Sequence, residues 1–352
     1  MKLKILYLAS LACFIGVIFW LTSGIPLWSK ILLQPLYDDT AKDGEASRNQ
    51  INFVGDVLLA RQIELNMIRF GAALPYRSIA SYLQSGYTVV NFEAAVPEKH
   101  VLTPSYTFAF SVDKQFLPAL RSAGVTHASL ANNHAYDYGV AGFAATKAAL
   151  TAVGITSFGG DTQYGENITF ITIGGSTIAV VGLNTVSDVI DYEQLQTIMY
   201  STTLQSDFQI AYIHWGNEYV TTHAPSQRKT AEDLVALGFD AIIGHHPHVV
   251  QDIDYIDGVP VFYSLGNFIF DQYFSTAVQE GLMLTLQQEE NGYVFRLLPV
   301  TSVGTPNQPR MMDEIATSQF LVTLAANSAP SLRSAIASGR ITVTPWWMDL
   351  LF

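Results

Sequence analysis

Cysteine is almost missing. Cys13 is the only one in 352 residues, so no disulfide can close within the chain and no thiolate cage can hold a metal. Any metal bound here must sit on His, Asp, Glu and Asn. Basic residues are also scarce: 18 Lys and Arg stand against 30 Asp and Glu, a net charge of -12. No basic stripe appears, which excludes a broad phosphate-backbone contact and with it nucleic acid as a partner. G-x-S-x-G, the P-loop pattern and G-x-G-x-x-G are all absent, so serine-hydrolase, NTPase and dinucleotide chemistry have no foothold. No internal repeat is present. What is abundant is apolar surface, 49% of residues, enough for a substantial core.

A last absence is local. No charged residue lies between Lys4 and Lys30, and residues 5–28, at about 1.5 Å per helical residue, are long enough to cross a hydrocarbon core of about 30 Å. This predicts a transmembrane signal-anchor over residues 1–28. Lys2 and Lys4 precede it and Asp38 and Asp39 follow Lys30, which puts the amino end in the cytoplasm and the bulk outside, in a single-pass topology. A cleaved signal peptide is the competing reading, against which stand the length of the run and the lack of an A-x-A site. A lipoprotein modified at Cys13 would need a better lipobox than Ser10-Leu11-Ala12. Residues 29–49 lose apolar periodicity and read as a tether. A folded domain is expected over residues 50–310, with residues 311–352 as an extension packed on it; Trp346 and Trp347 lie in a tail too short to span a bilayer.

Within the domain, short apolar strands alternate with helical stretches. Ile51-Asn52-Phe53-Val54 is a buried-type strand running into Gly55-Asp56, after which a helix is expected from Leu58 through Arg69. Thr88-Val89-Val90-Asn91-Phe92-Glu93 repeats the arrangement. Residues 126–130 form a strand before the turn Ala131-Asn132-Asn133-His134, and a helix is expected from Tyr136 through Val153. Residues 208–213 end at His214-Trp215-Gly216-Asn217-Glu218-Tyr219, and residues 239–243 run into Gly244-His245-His246-Pro247-His248. Residues 282–287 and 293–299 alternate as an antiparallel pair. Polar side chains thus collect at strand carboxyl ends, where α/β folds form their ligand crevice.

Taken singly, these groups are weak signals. An acidic strand end is often a helix cap, Asn-Asn-His often only a turn, and a lone histidine after a strand is usually a satisfied structural group. Three of the chain's eight histidines within four positions are harder to dismiss. An extended backbone, favoured at His246 by the following Pro247, would point His246 and His248 to the same side, as an H-x-H metal grip requires. Asp56, Asn91, Glu93, Asn133, His134, His214, His246 and His248 together offer carboxylate and amide oxygens with imidazoles. That donor mixture suits Zn, Mn or Fe better than Ca.

On these residues the chain resembles the calcineurin-like metallophosphoesterase superfamily, and more closely its CapA branch, the poly-γ-glutamate capsule synthesis proteins. The blocks that carry the resemblance are Gly55-Asp56-Val57-Leu58-Leu59-Ala60-Arg61, Asn91-Phe92-Glu93, Ala131-Asn132-Asn133-His134-Ala135-Tyr136-Asp137-Tyr138-Gly139, the His214–Tyr219 stretch, His245-His246-Pro247-His248-Val249-Val250-Gln251 and Tyr263-Ser264-Leu265-Gly266-Asn267-Phe268. The resemblance spans about residues 51–272. It implies a four-layer αββα sandwich of metallophosphoesterase type, one or two divalent transition-metal ions, and the ligands Asp56, Glu93, Asn133, His214, His246 and His248. His134 is implied as the proton donor to a leaving group, with Arg61, Asn91, Asn132, Glu218 and Asn267 supporting the site or substrate. It also implies an acidic polymer or its precursor as partner, alongside capsule-synthase membrane subunits. Two departures stand out: the superfamily's D-x-H opening is here Asp56-Val57-Leu58, and a bridging Asp is replaced by the longer Glu93. Three functions remain open from the sequence: a metal-dependent hydrolase or transferase of the capsule machinery, a non-catalytic polymer-binding or scaffold subunit, and a general phosphoesterase.

Overall fold

The computed structural model describes residues 48–104, 107–160, 164–290 and 292–344. These fall in one compact unit, residues 46–352. The expected membrane segment, Cys13, all but the end of the tether, and Trp346 and Trp347 lie outside the described residues. No described helix is long and apolar enough to cross a membrane.

Two sheets organise the chain. In the first, β1 (Gln50–Val57), β2 (Tyr87–Phe92), β3 (Val125–Ser129) and β4 (Thr156–Phe158) run parallel in sequence order. In the second, β5 (Ile168–Ile173) is antiparallel to β6 (Ser176–Asn184). From β6 the sheet continues in parallel through β7 (Phe208–His214), β8 (Ala241–His245) and, past β9 (Ile253–Ile256), to β10 (Val259–Phe262), on which β9 folds back antiparallel. The short β11 (Asn267–Ile269) returns to pair with β1. Then β12 (Glu280–Glu289) and β13 (Gly292–Thr301) add the expected antiparallel hairpin to the free edge of β1, extended by β14 (Arg310–Met311) and β15 (Arg340–Val343) on β13.

The near-continuous apolar strands make sense because both faces of each sheet are buried. Successive side chains point to opposite faces, so Phe53 and Val89 enter the core between the sheets while Val54 and Val90 face outward to helices. Those helices are α1 (Arg61–Phe70), α2 (Ala80–Leu83), α3 (Leu117–Ser122) and α4 (Gly139–Ala152), contributing Ile63, Met67, Leu83, Leu120 and Leu150. On the other sheet Ile210 and Ile243 face inward, whereas Ala211 and Ile242 meet Leu195 and Met199 of α5 (Tyr192–Thr203) and Leu234 of α6 (Pro225–Ala236). The layers run helix, sheet, sheet, helix.

Some sequence expectations need correction. Helix α1 begins at Arg61 and not at Leu58, because Leu58 N donates to Ile269 O at 2.8 Å and prolongs the pairing with β11. Helix α4 begins at Gly139, since residues 136–138 are held in turns by Gly139 N donating to Tyr136 O at 2.8 Å. The C-terminal part holds α7 (Glu314–Asn327) and α8 (Arg333–Ala337), whose Leu321, Leu324 and Ile336 join the core between the sheets. Through Val343 it is woven into the sheet.

Candidate metal centre

The carboxyl ends of both parallel strand sets meet at one edge. Asp56 ends β1, Asn91 and Glu93 end β2, the turn at Asn132-Asn133-His134 follows β3, His214 ends β7, and His245 ends β8. Two close approaches need glycine. A Cβ on Gly55 would stand 1.9 Å from Gly266 O, and one on Gly244 would stand 2.1 Å from Tyr263 O. The first lets β11 lie against β1 and bring Asn267 beside the site. The second seats β8 against the segment after β10.

Asp56 is fully buried, with Oδ1 3.3 Å from His245 Nδ1 and Oδ2 3.2 Å from His248 Nδ1. His248 Nδ1 also lies 3.0 Å from Asn267 Oδ1, and its Nε2 lies 3.7 Å from Glu93 Oε1. Asn91 ties the centre together: its Nδ2 donates to Asp56 Oδ1 at 2.8 Å and faces Glu93 Oε2 at 3.4 Å and His214 Nδ1 at 3.2 Å. Asn132 holds that amide by donating to Asn91 Oδ1 at 3.1 Å and to Phe92 O at 3.0 Å. On the far side of His214, Nε2 is 2.9 Å from Asn133 Oδ1, and its ring is 4.8 Å from that of His246.

Ten of the twelve residues singled out from sequence, all but Arg61 and Glu218, are thus linked in one buried or half-buried network. Glu218 is exposed at its rim, yet offers an oxygen within 4.8 Å of ligand atoms on His246 and His248; Asp56, Glu93 and His248 form a second such group. Arg61 lies at the mouth, bound to Asp271 through both carboxylate oxygens and stacked 4.7 Å from the Phe110 ring.

The histidine segment is not extended as the sequence suggested. His246 and His248 have φ of 95° and 57°, left-handed values unusual for non-glycine residues. A tight bend replaces the straight H-x-H, and the two rings stand 5.9 Å apart. His245, still within β8 and on the inward face it shares with Ala241 and Ile243, meets Asp56 across the space between the sheets. Sequence reasoning also passed over Asp137, whose Oδ2 lies 2.9 Å from His134 Nδ1, and Asp271. The spacing from His134 to Asp137 was the available signal.

Charges within this centre are pushed apart. Burial opposes ionisation of Asp56, but hydrogen bonding and charge from His245 and His248 outweigh it and hold the carboxyl well below its usual range. Burial raises Glu93 well above the carboxylate range, with Asp56 and Glu218 reinforcing it against the attraction of His248. Burial also works against a charged His248, yet Glu93 and Asp56 lift it to about 9. His246 is lowered to about 4 by burial and by His248, and His214 is lowered by burial and by His246. Asp56, His214 and His246 are thus held in the protonation states a metal ligand needs, whereas Glu93 and His248 would each have to release a proton on binding an ion.

Glu93 Oε1, His246 Nδ1 and His245 Nε2 are buried with no hydrogen-bond partner. Each such orphan costs roughly 1–3 kcal/mol. Unsatisfied groups of mixed oxygen and imidazole character fit a divalent transition metal. Leu58, third in the Asp56-Val57-Leu58 run, is fully buried among apolar neighbours and offers no ligand.

A chain with this double-sheet α/β fold and this donor set has the make-up of a protein that binds a divalent metal at its strand ends. The family model for bacterial capsule synthesis protein PGA_cap matches residues 50–272, and the chain belongs to that family. It is 30% identical to the PGA biosynthesis protein CapA of Bacillus subtilis over 68% of this chain and 68% of that protein. To the capsule biosynthesis protein CapA of Bacillus anthracis it is 29% identical, over 71% of this chain and 66% of that protein. The chain therefore spans about two thirds of the length of these relatives. Among solved structures, a phosphatase from Mycoplasma pneumoniae aligns with 75% of this chain and 92% of its own at 14% identity and a TM-score of 0.44.

Proposed function

We propose that this protein acts in the synthesis, anchoring or export of an acidic capsule polymer of the poly-γ-glutamate type, through a metal-dependent hydrolytic or transfer site outside the cytoplasmic membrane. Family membership supports the polymer, and the uncharged run at residues 5–28 supports a membrane anchor. The observation that carries a reactive site is the set of buried, unpartnered lone pairs on Glu93, His245 and His246 beside the ionised Asp56.

Asp56, Glu93, Asn133, His214, His246 and His248 would hold one or two ions of Mn, Zn or Fe. When bound, such an ion supplies Lewis acidity towards a carbonyl or phosphoryl oxygen and lowers the pKa of water. The chain's own part in proton transfer falls to His134. Asp137 Oδ2 accepts from its Nδ1 at 2.9 Å, its backbone N donates to Asn132 Oδ1 at 3.0 Å, and Phe110 packs on the ring at 4.2 Å. These contacts fix the tautomer and the ring plane. Nε2 lies 3.3 Å from Asn133 Nδ2 and 3.9 Å from Glu93 Oε1, and once the ring carries a second proton this nitrogen would give it to a leaving group. Arg61 at the mouth, already paired with Asp271, would have to share its guanidinium to meet a polymer carboxylate.

The test is to incubate the full chain, purified in detergent, with poly-γ-glutamate, peptidoglycan stem peptides and simple phosphoesters, with and without Mn or Zn. Metal-dependent cleavage or transfer of polyglutamate, absent in His246→Ala, is expected. Polymer binding without turnover would instead establish the second reading, a non-catalytic subunit, which the apolar Leu58 in the ligand position favours. Turnover of phosphoesters alone would make it a general phosphoesterase. Topology is checked separately: protease added to spheroplasts should remove the large domain, and protection would contradict the anchor.

A further inference from the structure

A second cluster of donors lies apart from this centre. Glu64 of α1, His100 in the strap that follows β2, and Asp113 where that strap ends present ligand atoms within 4.8 Å of one another. We propose that Glu64, His100 and Asp113 form a second divalent-metal site, of Zn or Mn type, that pins the strap to helix α1. It is independent of the catalytic reading above.

Three features carry this. Glu64 is only 1% exposed although it is a carboxylate, and its Oε2 is buried without a hydrogen-bond partner. A buried carboxylate oxygen in that state wants a cation. His100 is arranged as a ligand would be: Nδ1 lies 2.7 Å from Ser111 Oγ, while Nε2 faces Glu64 Oε1 at 2.7 Å. A histidine whose far nitrogen is held by a second group presents the near one in a fixed tautomer. Asp113 adds the second carboxylate; its oxygens take one hydrogen bond each from Gln115, with lone pairs to spare.

Bonds of about 2.0–2.1 Å at tetrahedral angles set ligand atoms about 3.3 Å apart, so the His100–Glu64 pair must open by about half an ångström and Asp113, within 4.8 Å of both, can close on them by up to about 1.5 Å. Three protein ligands of this kind leave room for water as the fourth. The consequence reaches the main centre, because the strap also carries Phe110. Its ring lies 4.2 Å from that of His134, and its N donates to Asp137 Oδ2 at 2.6 Å. An ion at Glu64 would hold in place the wall against which His134 is set.

Zinc titration of the metal-stripped full chain at pH 7.5, followed by calorimetry and elemental analysis, decides the matter. Glu64→Gln and His100→Gln should each bind one equivalent fewer than the starting protein. His246→Ala should keep the His100-dependent equivalent, and His246→Ala/His100→Gln should lose it. Should the buried Glu64 variant fail to fold, Asp113→Asn, at a half-buried position, serves in its place and should weaken that equivalent at least tenfold. Unchanged zinc stoichiometry and affinity in His100→Gln and Asp113→Asn would overturn the proposal.

Discussion

The two ends of the parallel strands treat buried polar groups in opposite ways. At the amino ends, Asn52 donates to Tyr82 O at 3.0 Å and accepts from Thr285, Thr88 N donates to Thr126 Oγ1 at 3.0 Å, Thr126 Oγ1 lies 2.8 Å from His127 Nδ1, and Asp240 accepts from Gln209 N at 2.9 Å. None of these residues has a buried polar atom left over. At the carboxyl ends, Glu93, His245 and His246 all do. Both ends sit on the same sheets and are equally buried, so burial does not mark a site. What separates these two sets of residues is satisfaction: the closed network holds the fold, and the open one, which gathers several unpartnered groups beside Asp56, has room for a ligand.

The largest expected effect breaks the open end. Asp56→Ala removes the carboxylate that faces His245, His248 and Asn91 and leaves those groups without their counterpart. Metal binding at this centre should be lost, leaving only the His100-dependent equivalent, and chemical denaturation should show a cost of about 3–5 kcal/mol, typical of breaking a buried charge pair. Undiminished metal stoichiometry with unchanged stability would mean that the carboxyl edge is a closed structural network after all. Next in size, His134→Ala should leave metal content and melting temperature nearly unchanged while turnover falls by about a hundredfold to ten-thousandfold. Loss of metal in that variant would make His134 a ligand.

Much of this contrast could be read from sequence. The carboxyl-end residues stand out because strands ending in Asp56, Asn91, Glu93, His214 and the histidine run each break into chemistry instead of turn residues. What could not be read has a backbone cause. The left-handed φ of His246 and His248 bends the segment just past β8 and breaks the extended H-x-H arrangement that Pro247 suggested. Likewise Leu58, apolar and next to a helical pattern, reads as helix, whereas its pairing with Ile269 comes from a strand more than two hundred residues away. Helix α7 escaped notice because Ile315, Phe320, Leu321 and Leu324 are spread among small residues and form no clear stripe, although Asp313 does cap it, accepting from Ala316 N at 2.8 Å. The strap over His134 and its Glu64–His100 contact depend on a long loop, for which periodicity offers no guide.

The smallest effect sharpens the contrast from the closed end. Asp240 is 5% exposed, and burial raises its carboxyl from 3.8 to about 7, with the hydrogen bond from Gln209 N pulling the other way. Between those values the folded chain keeps a proton that the unfolded chain has lost. Stability from this group is therefore fully present below the unfolded value and falls as pH rises through 7. In Asp240→Asn the amide oxygen can still accept from Gln209 N, but nothing ionises. The variant should thus gain stability relative to the starting protein between pH 5 and pH 8, by roughly 1–3 kcal/mol. Urea denaturation at the two pH values measures this difference directly, with metal content expected to be the same in both proteins. A stability difference that does not change with pH would show that Asp240 is ionised in the fold and that the amino ends, too, hold an unneutralised buried charge.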